Sequence, residues 1–258
     1  MKKHPLLWFF LLTFSITWGL AAFFLAANAF FDNPFGDMSI TNPIFILAVW
    51  GPNIAAFIIV TITKGGNGLA TLLKKFIPIR ASVFWYFLVL FLFPLAGILI
   101  NLISSTPIRI TELPKKEVIS LILAILVSGP IGEELGWRGY ALPRILEKRS
   151  AIVSAILLGL PWGIWHLPSF FISGLPQVGA QIPAFILAAV SLSVLVTWVF
   201  VNTGQNVFFA FLLHYSVNFT YTLIGSNPLH VSILQVSMAI LLFLLFGKDL
   251  KLKNLKLQ

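Results

Sequence analysis

Apolar runs of about 20 residues alternate with short polar segments along the whole chain. A helix needs about 20 apolar residues to cross the hydrocarbon core of a bilayer. Eight spans of this kind can be drawn, at 6–31, 43–63, 82–103, 117–142, 151–168, 181–201, 206–224 and 229–247. Within them the apolar residues are continuous and do not alternate at every second position, which disfavours a transmembrane β-barrel. The pattern predicts an all-α, polytopic membrane helix bundle with about eight transmembrane helices.

Composition agrees with this pattern. Hydrophobic residues make up 59% of the 258-residue chain, charged residues make up 10%, and the mean hydropathy is +0.97. A soluble domain carries about a quarter charged residues, so we predict a single integral membrane domain over residues 1–258. Lys2 and Lys3 precede the first span, as in a secretory signal peptide. Its apolar stretch exceeds the roughly 7–15 residues of a signal core, so we interpret it as a retained helix.

The basic residues set the expected orientation. They flank the apolar spans instead of gathering on one soluble element, so the net charge of +9 does not indicate a nucleic-acid partner. With eight spans both termini share one side. Placing that side in the cytoplasm leaves only Arg109, Lys115 and Lys116 of the 17 basic residues outside. The other 14 are Lys2, Lys3, Lys64, Lys74, Lys75, Arg80, Arg138, Arg144, Lys148, Arg149, Lys248, Lys251, Lys253 and Lys256. We predict cytoplasmic termini and a multi-pass protein of the cell membrane.

The distribution of basic residues also bears on two further segments, 64–80 and 248–257. Residues 64–80 contain two adjacent glycines, two adjacent lysines and a proline, which predicts a cytoplasmic turn at the membrane interface. The tail 248–257 alternates lysine with leucine. It either lies on the anionic leaflet or is a plain stop-transfer tail.

Two adjacent carboxylates lie in the fourth span, within Gly132-Glu-Glu-Leu-Gly-Trp-Arg138. Ionisable groups at membrane depth are costly and usually functional. Glu134 and Arg138 are four residues apart, on one helical face, and are expected to form an ion pair. Glu133 lies about 100° around the helix and is left available as a base. The alternative is that both glutamates lie in a solvated cytoplasmic loop beside Arg144.

Two further polar clusters lie in later spans. Glu133 is 16 residues before Arg149, and His166 is 16 residues after Ser150. In an antiparallel helical hairpin that turns at 149–150 they would lie at one level. His214 and Asn218 share a helical face and can donate hydrogen bonds to an oxyanion. Each cluster alone is equally compatible with hydrogen bonds that only hold helices together.

Taken together, the three motifs resemble those of the CPBP family, also called the Abi family. They are Glu133-Glu134-Leu-Gly-Trp-Arg138, Trp162-Gly-Ile-Trp-His166 and His214-Tyr-Ser-Val-Asn218. The family includes type II CAAX prenyl proteases and membrane proteins of bacteriocin processing and self-immunity. The resemblance covers about 117–224, the expected catalytic core. Trp162 stands where the family often has phenylalanine.

The resemblance implies an intramembrane endopeptidase that cleaves a membrane-associated peptide or lipidated protein. Glu133 and His166 would activate the attacking water, and His214 with Asn218 would stabilise the oxyanion. Glu134 and Arg138 would support the first motif. We expect the four catalytic residues to converge on one cavity that opens toward the cytoplasmic half of the bundle.

Three alternatives stay open. Glu133, His166 and His214 could instead hold a zinc ion that activates the water, since one carboxylate with two imidazoles is a common zinc set. The protein could be a non-catalytic immunity or scaffold protein. A transporter with a proton relay is the third alternative, although the sequence contains no internal repeat that would support transport.

Overall fold

The computed structural model describes residues 3–31, 34–78 and 80–251, and every regular element in these ranges is helical. The α-helices are α1 (Pro5–Phe30), α2 (Pro43–Val49), α3 (Gly51–Lys74), α4 (Val83–Ile103), α5 (Lys115–Val127), α6 (Pro130–Glu134), α7 (Leu142–Leu146), α8 (Ala151–Trp165), α9 (Ile182–Asn202), α10 (Val207–Phe219) and α11 (Pro228–Phe246). Two π-helical segments follow α6 and α10, at Leu135–Ala141 and Thr220–Ile224.

Seven helical stretches of the described chain are long and apolar enough to cross a membrane. They are Pro5–Phe30, Gly51–Lys74, Val83–Ile103, Lys115–Leu146, Ile182–Asn202, Val207–Ile224 and Pro228–Asp249. Helix α8 occupies the predicted fifth span and is apolar but only 15 residues long. The predicted all-α, multi-pass bundle is therefore confirmed. The count of eight spans and the cytoplasmic location of the termini stay predictions.

Several predicted elements differ in detail. Residues 64–80 do not form a turn throughout, because α3 continues to Lys74 with an interruption at Gly65, whose φ is +66°. The fourth span is not one helix, because the backbone leaves the helical conformation at Ser128–Gly129. Lys2, Lys253 and Lys256 lie outside the described residues, as does the tail beyond Lys251.

The helices run between two ends of the bundle. At one end, which we call the terminal end, α3 and α7 finish, α8 begins, and α9 passes into α10. Three hydrogen bonds join this end, from Val207 N to Lys75 O (3.0 Å), from Asn206 Nδ2 to Ile77 O (2.8 Å) and from Asn202 Nδ2 to Leu250 O (2.7 Å). Helix α1 begins and the described chain finishes at this end.

The opposite end, which we call the loop end, gathers the connections 34–42, 104–114, 166–181 and 225–227. Asn101 Nδ2 donates to Ile224 O (3.1 Å), and Arg109 Nη1 donates to Thr222 O (3.3 Å). Between the two ends lies a core of large buried side chains contributed by most of the helices. Its fully buried members include Phe9, Trp85, Phe93, Trp137, Phe200 and Phe209. Close packing of such side chains holds membrane helices together where no hydrophobic force acts between them.

Helix α3 fixes the segment that carries the two glutamates. Asn53 donates its Nδ2 hydrogen to Ile131 O (2.7 Å), and its Oδ1 accepts from the backbone N–H of Gly136 (2.8 Å). Asn53 is 1% exposed, so both bonds replace water that cannot reach these backbone groups. A side chain at Gly136 would overlap the backbone of Pro52. The absence of a side chain at Gly136 therefore permits this close approach of α3.

Gly136→Ala is expected to destabilise the protein, because overpacking a buried contact costs about 1–3 kcal/mol. The measurement is the thermal midpoint of the purified protein in detergent. Gly19→Ala in α1 is the matched control, because a Cβ atom there meets nothing within 4 Å. Its midpoint should stay equal or rise, since alanine favours a helix more than glycine does. A Gly136→Ala midpoint equal to that of Gly19→Ala would contradict the close approach of α3.

Candidate active site

Glu133 lies just after the backbone break, in the first turn of the short helix α6. It is 3% exposed, and its Oε2 accepts a hydrogen bond of 2.7 Å from the indole Nε1 of Trp162 in α8. This bond fixes one carboxylate oxygen and therefore the orientation of the group. The glutamates do not lie in a solvated loop, because both are buried.

Glu134 is the centre of a buried ionic cluster. Its Oε1 accepts a 2.8 Å bond from Arg138 Nη1 and a second 2.8 Å bond from Nδ1 of His214 in α10. The predicted ion pair with Arg138 is therefore present, and neither residue is exposed to solvent. The Arg138 guanidinium also lies over the Trp162 ring, 4.3 Å from its centroid. Trp162 thus contacts Glu133 and also Arg138, the counter-ion of Glu134.

His166 lies at the end of α8, not within it. The helix ends at Trp165, and the 3₁₀ turn Leu167–Phe170 follows. The His166 ring nitrogen Nδ1 is 2.8 Å from Trp162 O. A carbonyl oxygen can only accept, so Nδ1 carries the proton and the neutral ring has its lone pair on Nε2.

The hairpin prediction places Glu133 and His166 at one level. Glu133 accepts its hydrogen bond from Trp162, which lies one turn before His166 in α8. His166 lines the same cavity as Glu133, and a direct or water-bridged contact between them stays a prediction.

His214 and Asn218 lie on one face of α10, as predicted. His214 is 4% exposed and is held through Nδ1 by Glu134. Asn218 lies against the backbone break, where a Cβ atom at Gly129 would come within 3.0 Å of its Nδ2. The glycine at 129 therefore gives Asn218 room beside the chain that leads to Glu133.

All four predicted catalytic residues, Glu133, His166, His214 and Asn218, line one cavity of about 830 Å³. Its walls are largely apolar side chains of α2, α5, α9 and α10. They include Ile44, Phe45, Val49, Leu121, Ile125, Ala188, Leu192 and Val217. The cavity therefore combines a cluster of polar groups with an apolar wall.

The cavity lies in the loop-end half of the bundle. Residues of the loop-end connections line it, among them Ser39, Arg109 and Gly174. Two sequence predictions therefore exclude each other. The described chain begins and finishes at the opposite end, so a cytoplasmic location of that end is incompatible with a cavity that opens toward the cytoplasmic half.

The alternative zinc set, Glu133 with His166 and His214, does not take the form of a metal site. Among the described residues, no group of three or more His, Asp or Glu side chains is arranged to hold a metal ion. Glu134 engages Nδ1 of His214, and the Trp162 indole engages an oxygen of Glu133. We therefore derive no step through a metal.

Two features of the site were not predicted from the sequence. The indole of Trp162, at a position where the CPBP family often has phenylalanine, is a hydrogen-bond donor to Glu133. Glu134, interpreted as a partner of Arg138, also holds His214. A tryptophan and a histidine in otherwise apolar spans were visible in the sequence. Their partners could not be predicted, because the Trp162–Glu133 bond spans 29 positions of the chain and the His214–Glu134 bond spans 80.

Part of the chain is similar to known proteins. Residues 115–220 match the family model described as Type II CAAX prenyl endopeptidase Rce1-like. The chain is also similar to CAAX prenyl protease 2 of Methanococcus maripaludis, with 24% identity over 238 residues. That alignment covers 87% of this chain and 86% of the relative.

The matched region begins with α5 and ends after α10, so it contains all four cavity residues and the ionic cluster. Seven long apolar helices surround or form it. The chain is thus a multi-pass membrane helix bundle whose residues 115–220 are similar to the Rce1-like type II CAAX prenyl endopeptidases.

Proposed function

We propose that the protein is an intramembrane endopeptidase that hydrolyses a peptide bond of a membrane-associated protein or peptide with a water molecule activated by Glu133. One observation carries the proposal, namely that Glu133, His166, His214 and Asn218 line one cavity with an apolar wall. A buried carboxylate that is fixed by one hydrogen bond and exposed to a cavity is suited to act as a general base.

Glu133 takes a proton from the water molecule, and the water oxygen forms a bond with the scissile carbonyl carbon. The Trp162 indole occupies Oε2, which leaves Oε1 for the water. His166 presents the lone pair of Nε2, because its Nδ1 proton is bonded to Trp162 O. It accepts the second hydrogen bond of the water and so orients the attack.

His214 and Asn218 stabilise the oxyanion that forms as the carbonyl bond opens. The Glu134 carboxylate holds the Nδ1–H of His214, so in the cationic ring Nε2–H donates to the oxyanion and Glu134 compensates the charge. The Asn218 amide supplies a second N–H. Collapse of the intermediate breaks the C–N bond, and the leaving nitrogen takes the proton held by Glu133.

The apolar wall supports a substrate that is itself membrane-associated. The relative is named CAAX prenyl protease 2 and the family model is described as a CAAX prenyl endopeptidase, which supports CAAX-type processing of a lipidated protein. Bacteriocin maturation is the same reaction on a different peptide, and a proteomic comparison of membrane peptides decides between these substrates. Peptides that accumulate with a Glu133→Ala copy are the substrates, and their synthetic copies are the probes below.

Glu133→Gln is expected to lower kcat by about 10²–10⁴-fold, the usual contribution of a general base. KM should change little, because glutamine keeps the shape of the side chain and its contact with Trp162. Glu147→Gln is the matched control, since Glu147 is exposed at the terminal end. Cleavage by Glu133→Gln at the rate of the Glu147→Gln protein would contradict the role of Glu133 as base.

Glu134→Gln tests the division of labour between the two glutamates. It leaves the buried Arg138 without its counter-ion, which costs about 3–5 kcal/mol, so the thermal midpoint should fall. Arg138→Met in the same protein removes the unpaired charge and should recover much of the midpoint. Cleavage should stay low in the double variant, because His214 still lacks its carboxylate.

The double variant separates the two possible roles of Glu134. Recovery of both midpoint and cleavage would show that Glu134 only stabilises the fold. Inactivation by Glu134→Gln as complete as that by Glu133→Gln, at an unchanged midpoint, would show that the two roles are wrongly assigned.

Exhaustive chelation tests the metal-free mechanism. We expect the purified protein to keep its activity after a strong chelator has reduced bound metal below one atom per ten chains, measured by elemental analysis. A metal-dependent site would lose activity and regain it with added zinc. Loss of activity on chelation with recovery on added zinc would contradict the mechanism proposed above.

A further inference from the structure

The two ends of the bundle carry different charge. Among the described residues the terminal end has ten basic and two acidic side chains, a net charge of +8. They are Lys3, Lys64, Lys74, Lys75, Arg80, Arg144, Lys148, Arg149, Lys248 and Lys251, with Glu147 and Asp249. The loop end has no net charge, since Arg109, Lys115 and Lys116 are matched by Asp37, Glu112 and Glu117. Arg138 contributes to neither end, because it is buried in the ionic cluster.

The cations of the terminal end are concentrated where α3, the π-helical segment and α7 meet. Lys75 donates its Nζ hydrogen to Gly139 O at 2.8 Å. Burial lowers the pKa of Lys75, and the nearby charges of Arg144 and Lys64 lower it further. Several positive side chains thus lie within electrostatic reach of one another. Such a cluster favours the cytoplasmic side, where Lys and Arg near span ends are retained and the leaflet is anionic.

The active-site cavity belongs to the other end. It lies between the second half of α10, the first halves of α9 and α11, and the loop-end connections. Met38 and Gly174 approach each other across its rim, since a Cβ atom at Gly174 would overlap Met38 O. Because the cavity lies in the loop-end half, a substrate enters from the side of the membrane opposite to the terminal end.

We propose that the cavity opens on the side of the membrane away from the cytoplasm, and that the protein therefore cleaves peptide segments whose scissile bond is presented from that side. The orientation follows from the charge difference and the position of the cavity. Only the statement about the substrate rests on the proposed proteolysis. Exported peptides and extracytoplasmic segments of membrane proteins are the substrate class. Of the two substrates considered above, this orientation favours a peptide that is matured on the outer side and disfavours a CAAX protein with a cytoplasmic C-terminus.

Cysteine labelling in intact cells tests the orientation without any substrate. The chain has no cysteine, so each single substitution gives one reactive site. Val178→Cys lies in an exposed loop-end connection, where Val178 is 50% exposed, and Lys148→Cys lies on the exposed surface of the terminal end. A membrane-impermeant maleimide should label Val178→Cys in intact cells and Lys148→Cys only after permeabilisation.

The reverse result, with Lys148→Cys labelled in intact cells and Val178→Cys only after permeabilisation, would overturn the proposal. Equal labelling of both in intact cells would also overturn it, because it would mean two orientations. The same pair in a Glu133→Gln protein should label identically, since orientation does not depend on catalysis. Failure of the orientation is therefore distinguishable from failure of the proteolytic mechanism.

The substrate side is tested by mapping cleavage sites. Membrane and secreted peptides are compared between cells with the wild-type protein and cells with Glu133→Gln. We expect the cleavage sites lost in the variant to fall on extracytoplasmic segments or in the outer half of spans. Lost sites at cytoplasmic C-termini would overturn the proposed substrate class even if the labelling gave the expected orientation.

Discussion

The whole site depends on burying two adjacent carboxylates in an apolar bundle. A charge in this environment is tolerated only when partners replace the water it has lost. Glu134 receives two, because Arg138 and His214 both donate to its Oε1 at 2.8 Å. Glu133 receives one, from the Trp162 indole. This difference in partners distinguishes the two glutamates. Glu134 is held by Arg138 and His214, whereas Glu133 keeps one carboxylate oxygen for a reactant.

The backbone around the glutamates is irregular, and the irregularity has a function. The break at Ser128–Gly129 brings Asn218 beside the chain, and Asn53 satisfies backbone groups on both sides of the resulting short helix. Non-helical backbone at membrane depth is tolerated when it is buried in protein or lines a cavity, and both conditions hold here.

Much of the fold followed from the sequence because apolar length and continuity are direct consequences of the bilayer. The polar residues that line the cavity could also be found in the sequence, since polar residues in apolar spans are few and their i, i+4 spacing is preserved in a helix, as for Glu134 with Arg138. Their catalytic roles stay a proposal. The break at Ser128–Gly129 and the π-helical segment Leu135–Ala141 could not be predicted. They arise from tertiary contacts, the close approach of Pro52 to Gly136 among them. The position of the cavity relative to the charged end was mistaken for the same reason, because spacing along the chain does not show which half of a helix lines a cavity.

The central claim is that Glu133 activates water in a cavity where His214 and Asn218 receive the oxyanion. A structure of the Glu133→Gln protein with a bound substrate peptide tests it most directly. The account predicts the scissile carbonyl oxygen about 3 Å from His214 Nε2 and Asn218 Nδ2, with the carbonyl carbon facing the side chain at 133 across one water molecule. A peptide bound in the cavity with its scissile bond turned away from residue 133, or with a metal ion between them, would contradict it.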